Sequence, residues 1–284
     1  MTARRVERVV AGRQTTEGAG VRLRRSLGGA ELDQFDPFLL LDEFKSEDRS
    51  DYIAGFPDHP HRGFETVTYM LAGAMRHEDS RGNRGDLVAG SVQWMTAGSG
   101  LIHSEMPRQT EGLMWGFQLW VNLPASEKMR PPRYQDIPPE RVPEVTLEGG
   151  ARLRVVAGGA GGVSGPVDGI VTQPLYLDVA LPAGGRFSQE VADGHNAFAY
   201  VFEGEAELGT DGRDGAGTRV AAGNLAVLGD GAVFHARALS APARFLLVAA
   251  RPIGEPVARY GPFVMNTREE IHQAIRDFQS GTLA

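Results

Sequence analysis

Apolar positions along this chain gather in short runs, not at helical spacing. The runs 65–71, 91–96, 115–121, 151–156, 175–181, 197–202, 225–228 and 245–249 are filled by β-branched and aromatic residues. Gly, Asp or Pro bounds each of them, which is the composition of strands separated by turns. The Pro-rich stretch 129–139 interrupts the series. Its prolines lack N–H donors, so it cannot be a central strand, and it reads as the connection between two halves. A second flexible, Gly-rich loop runs from Gly158 to Gly165. Helical spacing emerges at one place, residues 268–279. There Thr267 is suited to the N-cap and Glu270 completes a capping box. Ile271, Ile275 and Phe278 share one face, and Gly281 is a suitable stop.

Composition supports the strand reading. The 37 glycines and 17 prolines are scattered without period, as in an all-β sandwich or barrel. The halves also echo each other. Residues 66–73 resemble 197–204, and 98–103 resemble 229–235 with one insertion, suggesting a duplicated β-barrel. We therefore expect an N-terminal barrel over 1–132, a Pro-rich linker over 133–144, and a C-terminal barrel with its helix over 145–284.

The 284 residues carry a formal charge of −7 and a pI of about 5.6, which argues against a nucleic-acid-binding surface. Arg4, Arg5, Arg8, Arg22, Arg24 and Arg25 form a local basic stretch, but apolar residues interleave it as on a solvated strand face. The absence of cysteine rules out disulfides, thiolate ligands and a catalytic thiol. Neither a signal-like leader nor a run long enough to span a membrane is visible, so a cytoplasmic protein with no membrane partner is expected.

The chemistry concentrates in two pairs, His59-Pro60-His61 and His103-Ser104-Glu105. Residues two apart on a strand point to the same side. Three imidazoles and a carboxylate aimed at one point make a mononuclear metal site; the alternative is a pair of polar strand edges linked by hydrogen bonds. Glu65 shares the parity of His59 and His61, which makes it a competing ligand or a hydrogen-bond acceptor for a ligand imidazole. A bulge at Gly63 would turn it away. His77, beside Glu78 and Asp79, reads as part of a solvated loop. In the second half the equivalents of His59 and His61 fall near Glu190 and Ala192. His235-Ala236-Arg237 replaces the second pair, and its arginine argues for a metal-free second barrel in which His195 and His235 are structural. Trp94, Met95, Met106 and Gln118 are candidates for the pocket wall, the alternative for each being an ordinary core or strand position.

These residues resemble the pirin family of bicupins. The cupin signature runs through Gly55, His59, His61, Glu65, Gly73, Gly90, Gly98 and His103, and the segments 56–67, 93–98, 102–107, 118–123 and 260–267 are the more specific match. The likeness covers nearly the whole chain and is weakest over 151–250. It implies an all-β bicupin, two stacked antiparallel, jelly-roll-like β-barrels with a short C-terminal helix. It also implies one divalent metal, held in the N-terminal barrel by His59, His61, His103 and Glu105 in preference to Glu65. Iron, as Fe(II), is the usual pirin metal; the ligand types themselves do not separate it from Mn, Ni, Cu, Zn or Co. Such a set leaves two octahedral positions open. Some pirins resemble quercetin 2,3-dioxygenases, which implies a flavonol-like substrate and O2, Glu105 as proton acceptor, and ring opening with loss of carbon monoxide. The alternative the family offers is a redox-sensing regulator whose partner is a transcription factor or a metabolic enzyme.

Overall fold

All eight apolar runs become inner strands of two seven-stranded antiparallel sheets. The computed structural model describes residues 2–211 and 216–284; Met1 and residues 212–215 fall within the expected domain bounds but outside the described residues. The first part of the chain forms β1 (Val6–Ala11), β2 (Arg13–Glu17), β3 (Val21–Leu27), β4 (Phe38–Ser46), β5 (Phe56–His61), β6 (Phe64–Ala72), β7 (Ala74–Asp79), β8 (Arg84–Val88), β9 (Val92–Thr96), β10 (Leu101–Pro107), β11 (Met114–Asn122) and β12 (Arg133–Ile137). One seven-stranded sheet has the order β12-β9-β6-β11-β4-β3-β2, and a four-stranded sheet has the order β5-β10-β7-β8. Strands β6 and β9 are buried along nearly their whole length, so both faces are covered and the polar Glu65, Thr66, Thr68, Gln93 and Thr96 are buried with the apolar residues.

A second pair of sheets repeats this plan. Its seven-stranded sheet begins with β1 and continues through Asn224–Leu228, Asn196–Glu203, Ala243–Ala250, Leu175–Leu181, Arg152–Ala157 and Glu144–Thr146. Its four-stranded sheet comprises Arg186–Glu190, Val233–Ala238, Glu205–Leu208 and Thr218–Ala221. Leu153, Leu177, Phe234, Phe245 and Leu247 lie in the core of this unit. The protein is thus a bicupin, mostly β with one C-terminal helix. Among the described residues no helix is long and apolar enough to cross a membrane.

The units are not the contiguous blocks expected from the sequence. One consists of the chain through Arg13, Ala30–Phe35 and Glu140–Pro252; the other of Gln14–Gly29, Asp36–Pro139 and Ile253–Ala284. Pairing between distant segments decides this, and local pattern does not carry it. β1 aligns Val9 with Ala226 and Ala11 with Asn224 in the second set of sheets. The C-terminal helix α1 (Arg268–Gln279) joins the unit that holds β5 and β10, burying Ile271 and Ala274 with Phe263, Met265 and Ile102. The expected linker also differs. Residues 133–137 contain no proline and pair as β12 with β9 at the sheet edge, while prolines flank them on both sides, where an edge tolerates them.

Helix α1 has the bounds and cap that its sequence implies. Thr267 accepts from the Glu270 N–H and the Glu270 carboxylate accepts in return. Phe278, placed on the apolar face by spacing, is exposed. Thr267→Ala is expected to lower stability by about 1 kcal/mol in chemical denaturation. The helix bears on the junction between β5 and β6, since Arg62 donates to Asp277 at 2.6 Å and to the Ser99 carbonyl at 2.6 Å. Gly63, the next residue, has φ +89°, and a Cβ there would collide with the Val264 carbonyl oxygen. Buried Lys128 ties this junction together, its Nζ donating to Gly63 O at 2.7 Å, Asn122 Oδ1 at 2.6 Å and Val264 O at 3.0 Å. Burial pulls its ammonium down to about 8.

Candidate metal centre

β5 and β10 run antiparallel with His103 directly opposite His59 and Leu101 opposite His61. Alternation turns His59 and His61 to one side, and the register brings His103 onto the same spot. The ring centroids of His59 and His61 are 4.7 Å apart, those of His59 and His103 4.4 Å, and those of His61 and His103 4.9 Å. One ring nitrogen from each lies within 4.8 Å of the other two. His61 is 3% exposed and His103 1%.

Each ring uses one nitrogen on the protein and leaves the other. His59 Nδ1 meets the Pro57 carbonyl at 2.8 Å. The His61 ring bonds to the Pro262 backbone, and its Nδ1 is buried without a partner. His103 Nδ1 meets His77 Nδ1 at 3.3 Å, while its Nε2 is buried without a partner. Burial, with a smaller push from neighbouring imidazoles, holds His61 and His103 well below the usual histidine range. They are therefore neutral at pH 7 and keep a lone pair. Buried nitrogens ordinarily have partners, and several unpartnered lone pairs facing one point are what a divalent cation satisfies. The donor set fits such an ion.

Glu105 lies outside this close group of three but lines the same cavity. Its Oε1 accepts from Thr68 Oγ1 at 3.0 Å and its Oε2 from Gln118 Nε2 at 3.1 Å. Thr68 Oγ1 also lies 3.2 Å from Gln118 Oε1, so its one hydrogen is shared between the two acceptors and the Gln118 N–H2 faces the carboxylate. The two residues belong to a polar row crossing the sheet. In register, Arg25 faces Asp42, Asp42 faces Gln118, Gln118 faces Thr68, Thr68 faces Gln93, and Gln93 faces Asp136. Arg25 grips Asp42 through two bonds of 2.8 and 2.7 Å. Burial nonetheless pushes the Asp42 carboxyl up to about 6, outweighing the guanidinium.

The alternative carboxylate is turned elsewhere. Glu65 sits on β6 at odd parity from Thr68, so it points to the opposite face of the strand from the residue that holds Glu105. It accepts from Thr96 Oγ1 at 2.6 Å. Among the four expected pocket residues, Gln118 lines the cavity. Trp94 and Met95 are fully buried, Met95 packing with Ala97 and Leu101. Met106 belongs to the wall around Gly55, its sulfur close to where a Gly55 Cβ would stand. Trp94 and Met95 thus take the ordinary core role open to them as strand residues, while Met106 is half-buried. The cavity itself, about 540 Å³, has apolar walls from Phe44, Phe56, Met75 and Trp120, with Arg25 and Arg259 among the polar lining. Arg259 lies 4.9 Å over the Trp120 ring. A larger cleft of about 620 Å³ in the other unit is walled by the Arg244–Asp178 ion pair and lacks this convergence of imidazoles.

His77 is not in a loop. It occupies β7 in register with Glu105 and is 1% exposed. The period-two alternation of Met75 and His77 with Arg76 and Glu78 was the signal that it faces inward. In the other unit His235 stands opposite Ser188, and Arg237 is paired with buried Glu207 at 2.7 Å.

Comparison with known proteins places the chain. The Pirin family matches residues 20–121, and the Pirin C-terminal cupin domain matches residues 176–284. A candidate quercetin 2,3-dioxygenase of Pseudomonas aeruginosa is 52% identical over 277 residues, covering 96% of this chain and 95% of its own. A pirin-like protein of Caulobacter vibrioides is 50% identical over 282 residues, covering 99% of each. The crystal structure of quercetin 2,3-dioxygenase from Acinetobacter baumannii superposes with a TM-score of 0.87 at 32% identity over 99% of each chain.

Proposed function

Because this chain belongs to the pirin family, we propose that it is a mononuclear Fe(II) dioxygenase that cleaves flavonols such as quercetin. One observation carries the reading. Three imidazoles, each held by the protein at one nitrogen, turn the other toward a common point beside a 540 Å³ cavity with aromatic walls. His59, His61 and His103 would hold the metal, and Glu105 would complete the set. When bound, the metal supplies a Lewis-acidic, redox-active centre with positions left for substrate and O2.

The remaining work falls to this chain's own groups. Phe44, Phe56 and Trp120 bury the flavonol rings and exclude water. Glu105 accepts the proton of the 3-hydroxyl, and Thr68 and Gln118 hold its carboxylate in place to do so. The deprotonated substrate then reacts with O2. Both oxygen atoms enter the ring-opened product, and the excised carbon leaves as carbon monoxide.

The test is to bind quercetin anaerobically to iron-loaded protein and admit a pulse of O2. One equivalent each of carbon monoxide and ring-opened ester is expected. Oxygen-stable, unaltered flavonol would overturn the activity while leaving the metal site to be judged by metal analysis, which also decides between iron and Mn, Ni, Cu, Zn or Co.

A further inference from the structure

Behind His103 stands a fourth histidine that the proposed chemistry does not use. His77 Nδ1 is 3.3 Å from His103 Nδ1. Two imidazole nitrogens at that distance share one hydrogen, one donating and the other accepting. The Nε2 atoms of His103 and His77 are both buried without a partner, and of the two rings it is His103 that joins the group of three. If the His103 Nε2 lone pair goes to a metal, the neutral ring carries its hydrogen on Nδ1. The hydrogen then points at His77 Nδ1, so the His77 hydrogen must sit on Nε2. One contact sets the tautomers of both rings. His77 lies outside the group of three converging nitrogens, and its Nδ1 is engaged with His103. The Tyr134 ring, 4.7 Å away centroid to centroid, packs against the His77 ring and limits its rotation.

We infer that His77 is a positioning residue, a neutral acceptor that orients His103 and leaves it a weaker donor to the metal than a carboxylate acceptor would. The inference rests on the metal reading of His59, His61 and His103. Metal-bound histidines usually hand their second hydrogen to a carboxylate, a carbonyl or water. His59 and His61 follow that habit through the Pro57 and Pro262 carbonyls, and His103 departs from it. An imidazole acceptor pulls less on the Nδ1 hydrogen than a carboxylate does. His103 therefore stays less basic, and the site favours the lower-charged, ferrous form of bound iron.

Three variants test this with Fe(II) alone, by anaerobic chelator competition and by the midpoint potential of the bound iron. His77→Phe keeps the volume and removes the acceptor, and should weaken iron binding roughly 10–100-fold. His77→Asn places an amide oxygen near the position of Nδ1, and should recover affinity to within about threefold of the parent. His77→Glu supplies a carboxylate acceptor and should move the potential to more negative values. A His77→Phe protein with parental affinity and potential overturns the inference. Should that variant fail to fold, equal potentials for His77→Asn and His77→Glu overturn it instead. Failure of the metal reading looks different, because the parent protein itself would then bind no iron.

Discussion

A His61→Ala variant is expected to emerge from purification without metal, its affinity lowered by well over the roughly 100-fold that marks loss of an outer partner. Among the described residues no further imidazole joins the group that holds His61. His61 is 3% exposed, so water reaches the position poorly, and the group of candidate donors contains only three imidazoles. His103→Ala should behave alike. Glu105→Ala is expected to retain less metal than Glu65→Ala, because Glu105 lines the cavity with His59 and His61 whereas Glu65 bonds to Thr96. Metal content by elemental analysis, with thermal melting of the metal-free forms as the folding control, reads all four variants. The reverse order for the two glutamates would show that β6 supplies the ligand. Unchanged iron in His61→Ala would sink the site as drawn.

What the sequence made legible followed from local physics. Strand runs announce themselves by β-branched and aromatic residues between turn formers, and each became an inner strand. A capped amphipathic helix needs only its own residues to be recognised, and α1 starts and ends where Thr267 and Gly281 imply. The two His pairs could be read because a spacing of two on a strand fixes the side. At Glu65 parity left two readings open, a competing ligand or a residue turned away by a bulge at Gly63. Residues 62 and 63 lie between β5 and β6, outside either strand, so counting by twos from His61 does not cross them. The polar row from Arg25 to Asp136 was hidden for a different reason: it joins six strands, and its members become neighbours only once five registers are known. Strand register also decided His77, whose partner His103 lies 26 positions away. The exchange of chain ends between the units depends likewise on pairing, as between Val9 and Ala226. Short-range pattern carries elements and sides; partners across elements it does not carry.

Glu65→Gln should make the protein more stable at pH 8 and flatten its response to pH. The Glu65 carboxyl is 1% exposed. Burial pushes it from 4.5 up to about 7, against hydrogen bonds from Thr96 and Trp94 that favour the anion. A carboxyl raised in the folded state keeps its proton after the unfolded chain has released it. Its stabilising contribution is therefore complete below about 4.5 and disappears as pH rises through about 7. That span corresponds to roughly 3 kcal/mol at about 1.4 kcal/mol per unit. Glutamine is neutral throughout, and its carbonyl oxygen still accepts from the Thr96 hydroxyl. The variant should thus match the parent near pH 4.5 and exceed it by up to about 3 kcal/mol at pH 8. Urea denaturation of both chains in chelator, repeated between pH 4.5 and 8, gives the difference curve, in which the titration of the shared histidines cancels. Parallel curves would mean that Glu65 is ionised in the folded protein at low pH, as a ligand-like carboxylate would be. A gap that opens with rising pH instead marks a buried acid kept neutral, serving the barrel and not the metal.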